Sequence, residues 1–426
     1  MILYYLMLLF NRFHNDPRIG LVLFNAGIVI VTPVKIVGLF AVLAAILMPP
    51  PKDLAPRLNN PLAITFTAFM TIPILVSLAY SLPPPSAWIS SAISFGMMLW
   101  VTRRMLCNHE RLVKSLRMLI LASTFASLWL YRQHFVQHID RPGGLEQDSN
   151  YEVLTLITGI PLAFWLARHE VQRSWRRIAT GCVLVMSGGV VLTQSRGGLI
   201  AAAAMVLLAA LRSQRKFLNL ALLSLASVAI ILWSPSGLSR RFASIKFSGT
   251  ARNGDEESTR IHVELVKAGI NMIADHPLFG VGLEQFKAVA PEYNPELRRV
   301  TEGSFIAHNT YVQIAAECGL PMLALYLALM VFALLNCRAV RRSSNSALVD
   351  LAVAMEFGLL GYGITAASVT AEFIMPFWLI IFMSQNLREI ALAAKVLPLA
   401  RSEPATKPSR RLLSARSTTL QVLSQE

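Results

Sequence analysis

The chain has 426 residues, of which 54% are hydrophobic and 15% are charged, and its mean hydropathy is +0.53. This composition excludes an ordinary soluble domain, in which about 25% of residues are charged, and the length excludes a simple anchor. The formal net charge is +15, but the Lys and Arg residues form short clusters between apolar segments. Because no basic stripe lies on a polar face, we predict a multi-span membrane protein without a nucleic-acid partner.

The apolar segments predict an all-α polytopic membrane protein with about 12 transmembrane helices, since each segment approaches the ~20 residues that cross a bilayer. Residues 1–10 are apolar but short, and they fit either a membrane-surface segment or an extra partial helix. The predicted spans lie at residues 19–33, 35–50, 60–82, 86–101, 115–133, 151–167, 176–194, 197–211, 216–234, 310–337, 346–367 and 370–388.

Basic residues cluster in the connectors on one side of this series. The positive-inside rule places those connectors and both chain termini in the cytoplasm, and the remaining connectors then face the periplasm. The clusters lie at residues 103–117, 168–177, 212–216 and 338–342.

The same pattern divides the chain into four parts. Residues 1–234 form an N-terminal transmembrane bundle and residues 235–309 a long, nearly neutral periplasmic loop. Residues 310–390 form C-terminal transmembrane helices, and residues 391–426 a disordered, basic cytoplasmic tail. Within the loop, apolar residues at helical spacing predict an amphipathic helix over residues 259–274 and a shorter one at residues 283–289.

The loop ends in the tetrad His308-Asn309-Thr310-Tyr311, directly before an apolar segment. Histidine suits proton transfer near neutral pH because its reference pKa is about 6.5. Its place at the water–membrane boundary suits a lipid-borne substrate. The alternative is that this polar group only caps the helix that begins near Thr310. Position alone leaves both interpretations open.

Two arginines are candidate ligands for an anion. Arg196 lies in the turn at residues 194–198, and its guanidinium can bind a phosphate through two hydrogen bonds at a helix N-terminus. Gly197 and Gly198 would allow a close approach. An arginine that snorkels to lipid headgroups is the alternative, although its place opposite the basic clusters departs from the charge rule. Arg260, in the amphipathic helix, is either a second anion ligand or a surface cation.

Further polar residues give weaker signals. Glu372, near the last span, is a candidate for orienting an arginine or binding an acceptor sugar. We predict neither a metal site nor a cofactor, because no carboxylate cluster suits Mg²⁺ and the pair His134 and His138 lacks further ligands. Candidates for supporting contacts flank the main site residues, namely Ser195, Gly197, Asn309 and Tyr311.

Three motifs together resemble the superfamily of O-antigen ligases and Wzy-type polymerases. The first is Thr193-Gln-Ser-Arg-Gly-Gly198 before an apolar helix. The second is Thr259-Arg260 followed by Ala274-Asp-His-Pro-Leu-Phe-Gly-Val-Gly-Leu283. The third is Ala307-His-Asn-Thr-Tyr311 followed by Glu317-Cys-Gly-Leu320. Their order and spacing match the family pattern over roughly residues 190–325.

The resemblance implies a glycosyltransferase that uses a glycan on undecaprenyl diphosphate as its donor, outside the cytoplasmic membrane of a bacterium. A ligase moves that glycan to a sugar hydroxyl of the lipid A core and completes lipopolysaccharide, whereas a polymerase moves it to another lipid-linked repeat unit. By position, His308 matches the histidine proposed as base in the family, and Arg196 and Arg260 match arginines assigned to the diphosphate. A metal-independent, inverting ligase is the expectation, with the polymerase as the alternative.

The alternative function without catalysis is a transporter of lipid-linked glycans. Such a protein would place charged residues along a path at mid-membrane depth. The informative residues of this chain instead gather at one surface and in the polar loop, which favours catalysis at that surface.

Overall fold

The computed structural model describes residues 1–10, 24–25, 30–31, 33–48, 60–82, 85–212, 254–299 and 305–394. Within these residues the chain forms 14 α-helices, two 3₁₀ helices and one pair of two-residue strands. The helical fold class is therefore confirmed. The predicted span at residues 216–234 and nearly all of the predicted tail, from residue 395 onward, lie outside the described residues.

The first eight helices precede the polar loop. They are α1 (Ile2–Phe10), α2 (Pro33–Leu47), α3 (Pro61–Ala79), α4 (Ser86–Met105), α5 (His109–Phe135), α6 (Ser149–His169), α7 (Arg173–Leu192) and α8 (Arg196–Arg212).

Six more helices follow in the described part of the loop and the C-terminal bundle. They are α9 (Gly254–Asp275), α10 (Phe286–Tyr293), α11 (Thr310–Cys318), α12 (Leu320–Val340), α13 (Ser346–Thr365) and α14 (Met375–Ala393). The 3₁₀ helices are Pro295–Arg299 and Ala366–Ser368.

Six of the described helices are long and apolar enough to cross a membrane, namely α3, α5, α6, α7, α12 and α13 with its 3₁₀ extension. Several apolar helices of this length indicate a multi-pass membrane protein. The total of about 12 spans and the cytoplasmic side of both termini stay predictions.

The prediction for residues 19–33 is wrong where the structure describes them. Phe24–Asn25 and Ile30–Val31 are short antiparallel strands, and Phe24 pairs with Val31. The segment is short for a span, and its Asn25 and Gly27 have low helix propensity, whereas Ile30 and Val31 are β-branched. For residues 1–10, the structure gives the partial helix, α1, whose Tyr4 hydroxyl lies 3.2 Å from Thr102 Oγ1.

The predicted continuous span at residues 310–337 is also wrong, because Gly319 separates α11 from α12. Gly319 has φ 86°, a left-handed value that favours glycine, and Pro321 lies in the first turn of α12. A proline inside a continuous helix lacks the N–H for its hydrogen bond and clashes with the preceding turn. The chain therefore ends one nine-residue helix and begins a second.

The last predicted span, at residues 370–388, is displaced towards the C-terminus. A 3₁₀ turn follows α13, and α14 begins only at Met375. Pro376 occupies the first turn of α14, where the missing N–H costs no hydrogen bond. Residues 369–374 thus form an irregular segment between two helices.

The described part of the polar loop has a small hydrophobic core of its own, which confirms the amphipathic helix as α9. The second helix, α10, begins three residues later than predicted. Because this core includes Ala316, one side of α11 packs against the loop helices, whereas Ile314 and Cys318 of the same helix pack in the core of the bundle. Its fully buried members are Leu265, Ala268, Met272, Phe286, Ala290, Leu297, Ala307 and Ala316.

Backbone hydrogen bonds join the corner after α9 to the end of α11. Val281 N donates to Ala316 O at 2.8 Å, and Leu320 N donates to Pro277 O at 2.8 Å. These bonds satisfy backbone groups that the break in the helix would otherwise leave unpaired. The break at Gly319 and the corner therefore stabilise each other.

We predict that Gly319→Ala destabilises the protein. A Cβ at this position would lie 2.2 Å from Leu278 O, and a left-handed backbone costs a residue with a Cβ about 1–2 kcal/mol even without a clash. The apparent melting temperature of the purified protein in detergent should fall. Gly181→Ala is the matched control, because nothing lies within 4 Å of a Cβ there; equal melting temperatures for the two variants would contradict the prediction.

Candidate functional site

Side-chain hydrogen bonds fasten the turn between α7 and α8 to the connector between α5 and α6. Ser195 Oγ donates to Asn150 Oδ1 at 2.8 Å, and Arg141 donates to the same oxygen at 3.1 Å. Gln194 Nε2 donates to the carbonyl oxygen of Asp140 at 2.8 Å. The predicted supporting residue Ser195 thus holds the turn that presents Arg196.

Gly197 and Gly198 allow a close approach, but side chains of the protein, rather than a ligand, occupy the space beside them. A Cβ at Gly197 would lie 1.9 Å from Ser368 Oγ, and one at Gly198 would lie 2.3 Å from Val153 Cγ2. The glycines therefore serve the packing of α8 against its neighbours. Arg196 is the first residue of α8, and the helix dipole favours an anion at that end.

The two interpretations of the tetrad apply to different residues. Asn309 is the helix cap, since its side-chain oxygen accepts hydrogen bonds from the backbone N–H groups of Tyr311 and Val312 at 3.0 and 3.1 Å. His308 lies outside this cap. Its backbone has φ 46°, and its ring stacks on that of His262 with a centroid distance of 3.9 Å and an interplanar angle of 23°.

His262 lies on α9. Burial lowers the pKa of its imidazole, and the charges of Arg141 and Arg196 act in the same direction, whereas Asp148 opposes them. Burial also lowers the pKa of His308 to about 4, followed by the effect of His262, while the carboxylate of Asp148 acts in the opposite direction. Both rings are consequently neutral at pH 7.

The sequence did not reveal His262 as a site residue. A histidine on an amphipathic helix is equally expected on a solvated face, and 46 residues separate it from His308 along the chain. Only the packing of α9 against α11 brings the two rings together.

Arg260 lies on the same helix but makes a different contact. Its guanidinium donates to Glu296 Oε2 at 2.8 Å, and 69% of its side chain is exposed. Residues two positions apart on a helix do not share a face, so Arg260 and His262 point in different directions. Its predicted role at a diphosphate stays a prediction.

Thr310 and Tyr311 attach α11 to the end of α13. The Thr310 hydroxyl donates to Val369 O at 2.7 Å and accepts from Ala371 N at 2.9 Å. The Tyr311 hydroxyl donates to Gly363 O at 2.7 Å. The predicted supporting residues Asn309 and Tyr311 therefore hold the segment that carries His308.

Glu372 lies in the irregular segment between α13 and α14. It is half-buried, and its Oε2 atom has no hydrogen-bond partner among the described residues. Its backbone carbonyl accepts a hydrogen bond from Trp378 Nε1 at 2.9 Å. No arginine contacts it in the described part of the chain, so the predicted role in orienting one gains no support.

An apolar groove of about 300 Å³ lies between α3, the corner at residues 278–283 and the junction of α11 with α12. Its walls include Phe279, Glu317 and Met322. Glu317 lies seven residues beyond Thr310, the first residue of α11, or roughly 10 Å along the helix at 1.5 Å per residue. The groove is therefore separate from the histidine pair, but α11 connects the two.

Within the described ranges, no group of three or more His, Cys, Asp or Glu residues is arranged to hold a metal ion. The side chains at the site can instead supply two neutral imidazoles, cationic guanidinium groups and the carboxylate of Asp148. Such a set can accept a proton and stabilise a negative charge.

The comparisons with known proteins agree with the motifs. The model of the family described as O-antigen ligase matches residues 181–327, roughly a third of the 426-residue chain. Arg196, Arg260, His262 and His308 all lie in this region, and the resemblance to the superfamily is thereby confirmed for it. Among curated proteins, no match is found.

Proposed function

We propose that this protein is an O-antigen ligase of the bacterial inner membrane. It transfers a glycan from undecaprenyl diphosphate to a sugar hydroxyl of the lipid A core and thereby completes lipopolysaccharide on the periplasmic side. The observation that carries the proposal is the stack of His308 on His262, on whose imidazole the charge of Arg196 acts, within the region that matches the ligase family.

The donor already carries a good leaving group, so catalysis requires that the departing diphosphate be stabilised. Arg196 is suited to this task because a guanidinium binds phosphate oxygens through paired hydrogen bonds, and the N-terminus of α8 adds a favourable dipole. We assign Arg260 as a second ligand, which requires that its side chain leave Glu296 and turn towards the diphosphate, because Arg260 and His262 point in different directions. An exposed ion pair contributes only about 0–1 kcal/mol, so loss of the pair with Glu296 costs little free energy.

His308 accepts the proton of the acceptor hydroxyl in this mechanism. As the hydroxyl oxygen attacks the anomeric carbon, its proton passes to the neutral imidazole, and the bond between that carbon and the diphosphate oxygen breaks with its electron pair. Displacement in line inverts the anomeric configuration. A bound diphosphate would raise the pKa of His308 because it adds negative charge nearby, and Asp148 acts in the same direction.

The lipid part of the donor also needs a binding surface on the protein. We assign the prenyl chain of the donor to the apolar groove at α3 and α11, which lies at the end of α11 away from His308. The proposed topology places the loop and the histidine pair in the periplasm and both chain termini in the cytoplasm. A polymerase would use the same donor site with another lipid-linked repeat unit as acceptor.

We expect a strain that lacks this protein to accumulate lipid A core without attached polymer, alongside polymer on the carrier lipid. A profile of the extracted glycolipids measures both species. Core that still carries a single repeat unit would contradict the ligase and indicate the polymerase.

An assay of the purified protein separates the enzyme from a transporter. Failure to transfer glycan from a lipid diphosphate donor, together with transport of that donor across the membrane of a vesicle, would indicate a transporter.

His308→Ala should reduce transfer by the purified protein by about 10²–10⁴-fold, the typical cost of removing a general base. The variant should still elute from a sizing column as the wild type does, since the ring lies outside the Asn309 cap. Full activity in the folded variant would refute the assignment of His308 as base.

Arg196→Lys should reduce turnover at low donor concentration, because an ammonium group cannot reproduce the paired hydrogen bonds of a guanidinium. Steady-state kinetics with a lipid diphosphate donor measure this effect. The matched control is Arg298→Lys, a loop arginine that donates to Pro291 O on the loop surface. Wild-type kinetics in Arg196→Lys would count against the diphosphate contact.

A further inference from the structure

We propose that His262 is a positioning residue for His308, which it holds through the face-to-face contact of the two imidazole rings. The inference rests on the proposed role of His308 as base and extends it to a residue on a different helix. Histidine thus contributes twice to the site, once as the base and once as the surface on which the base lies.

The need for such a contact follows from the conformation of His308. This residue precedes the helix cap and has φ 46°, and in the described part of the chain its ring makes no hydrogen bond. A ring without a hydrogen-bond partner can rotate about its side-chain bonds. The stack with His262 at 3.9 Å fixes the plane of the ring and excludes water from one face.

His262 is itself well fixed. Its helix, α9, contributes Leu265 and Met272 to the small core of the loop, which also contains Ala307 next to His308. On the other side of the stack, the Ala307 N–H donates to Gln313 Oε1 at 2.8 Å and holds the chain before His308 against α11. The two rings are therefore supported by one rigid unit.

Charged groups from three elements face the pair. Arg141 and Asp148 come from the α5–α6 connector, Arg196 comes from the start of α8, and His262 itself comes from α9. A cation at position 262 would oppose the imidazolium that His308 becomes, whereas a neutral ring does not. An aromatic ring without nitrogen atoms should therefore serve as a partial replacement.

The test compares His262→Phe, which keeps a flat ring, with His262→Ala, which removes it. In glycan transfer, His262→Phe should stay within about threefold of the wild type. His262→Ala should lose kcat on the order of 10²-fold, the effect of a misplaced catalytic group, with little change in KM for the donor. His276→Ala is the control, because His276 contacts Tyr293 on the exposed side of the loop.

A second readout does not depend on transfer. The rate at which diethyl pyrocarbonate modifies His308, followed by peptide mass spectrometry over pH, reports the fraction of neutral imidazole. In the wild type the midpoint should lie near the pKa of about 4. In His262→Phe it should rise less than in His262→Ala, because the ring still covers one face of His308 although the charge effect of His262 is lost. In His262→Ala, water reaches the ring, so the midpoint should move towards the reference value of about 6.5.

The outcomes separate this inference from the proposed function. Wild-type kcat and an unmoved midpoint in folded His262→Ala would overturn the positioning role. Equal loss of kcat in His262→Phe and His262→Ala would overturn the stacking mechanism and indicate a need for the imidazole nitrogens. A shifted midpoint in a protein that transfers no glycan would support the contact and refute the ligase.

Discussion

The break between α11 and α12 is the constraint on which the candidate site depends. If the chain continued as one helix through Gly319, α11 would lie along the axis of α12, inside the membrane bundle. Because the chain turns at Gly319, one side of α11 packs on α9 and α10, while Ile314 and Cys318 join the core of the bundle. The small core of the loop then forms around Ala307 and Ala316. The stack of His308 on His262 is a product of that packing.

Hydropathy and helical spacing were sufficient to predict the helical class, the amphipathic helix α9 and most of the apolar helices among the described residues. They failed at junctions, where local stereochemistry decides. Gly319 and Pro321 stand in an apolar segment that periodicity alone reads as continuous, and at residues 24–31 a segment of similar hydropathy contains paired strands. Apolar composition specifies an environment, whereas a single glycine or proline specifies where a helix ends.

The sequence predicted those residues of the candidate site that lie in motifs, but it did not predict His262, which lies in none of them. Arg196, His308 and Asn309 were predicted because they belong to motifs whose order and spacing along the chain are recognisable. Asn309 then proved to be the cap, which leaves its neighbour's ring available for other contacts. His262 depends on a contact between two helices, and its position along α9 carries no signal of that contact.

The left-handed backbone of His308 limits which residues can occupy its position. Glycine, asparagine, aspartate and histidine adopt such a φ more readily than other residues do. Among these, only histidine gains or loses its proton near neutral pH without help from its surroundings. Conformation and acid–base chemistry thus select the same residue.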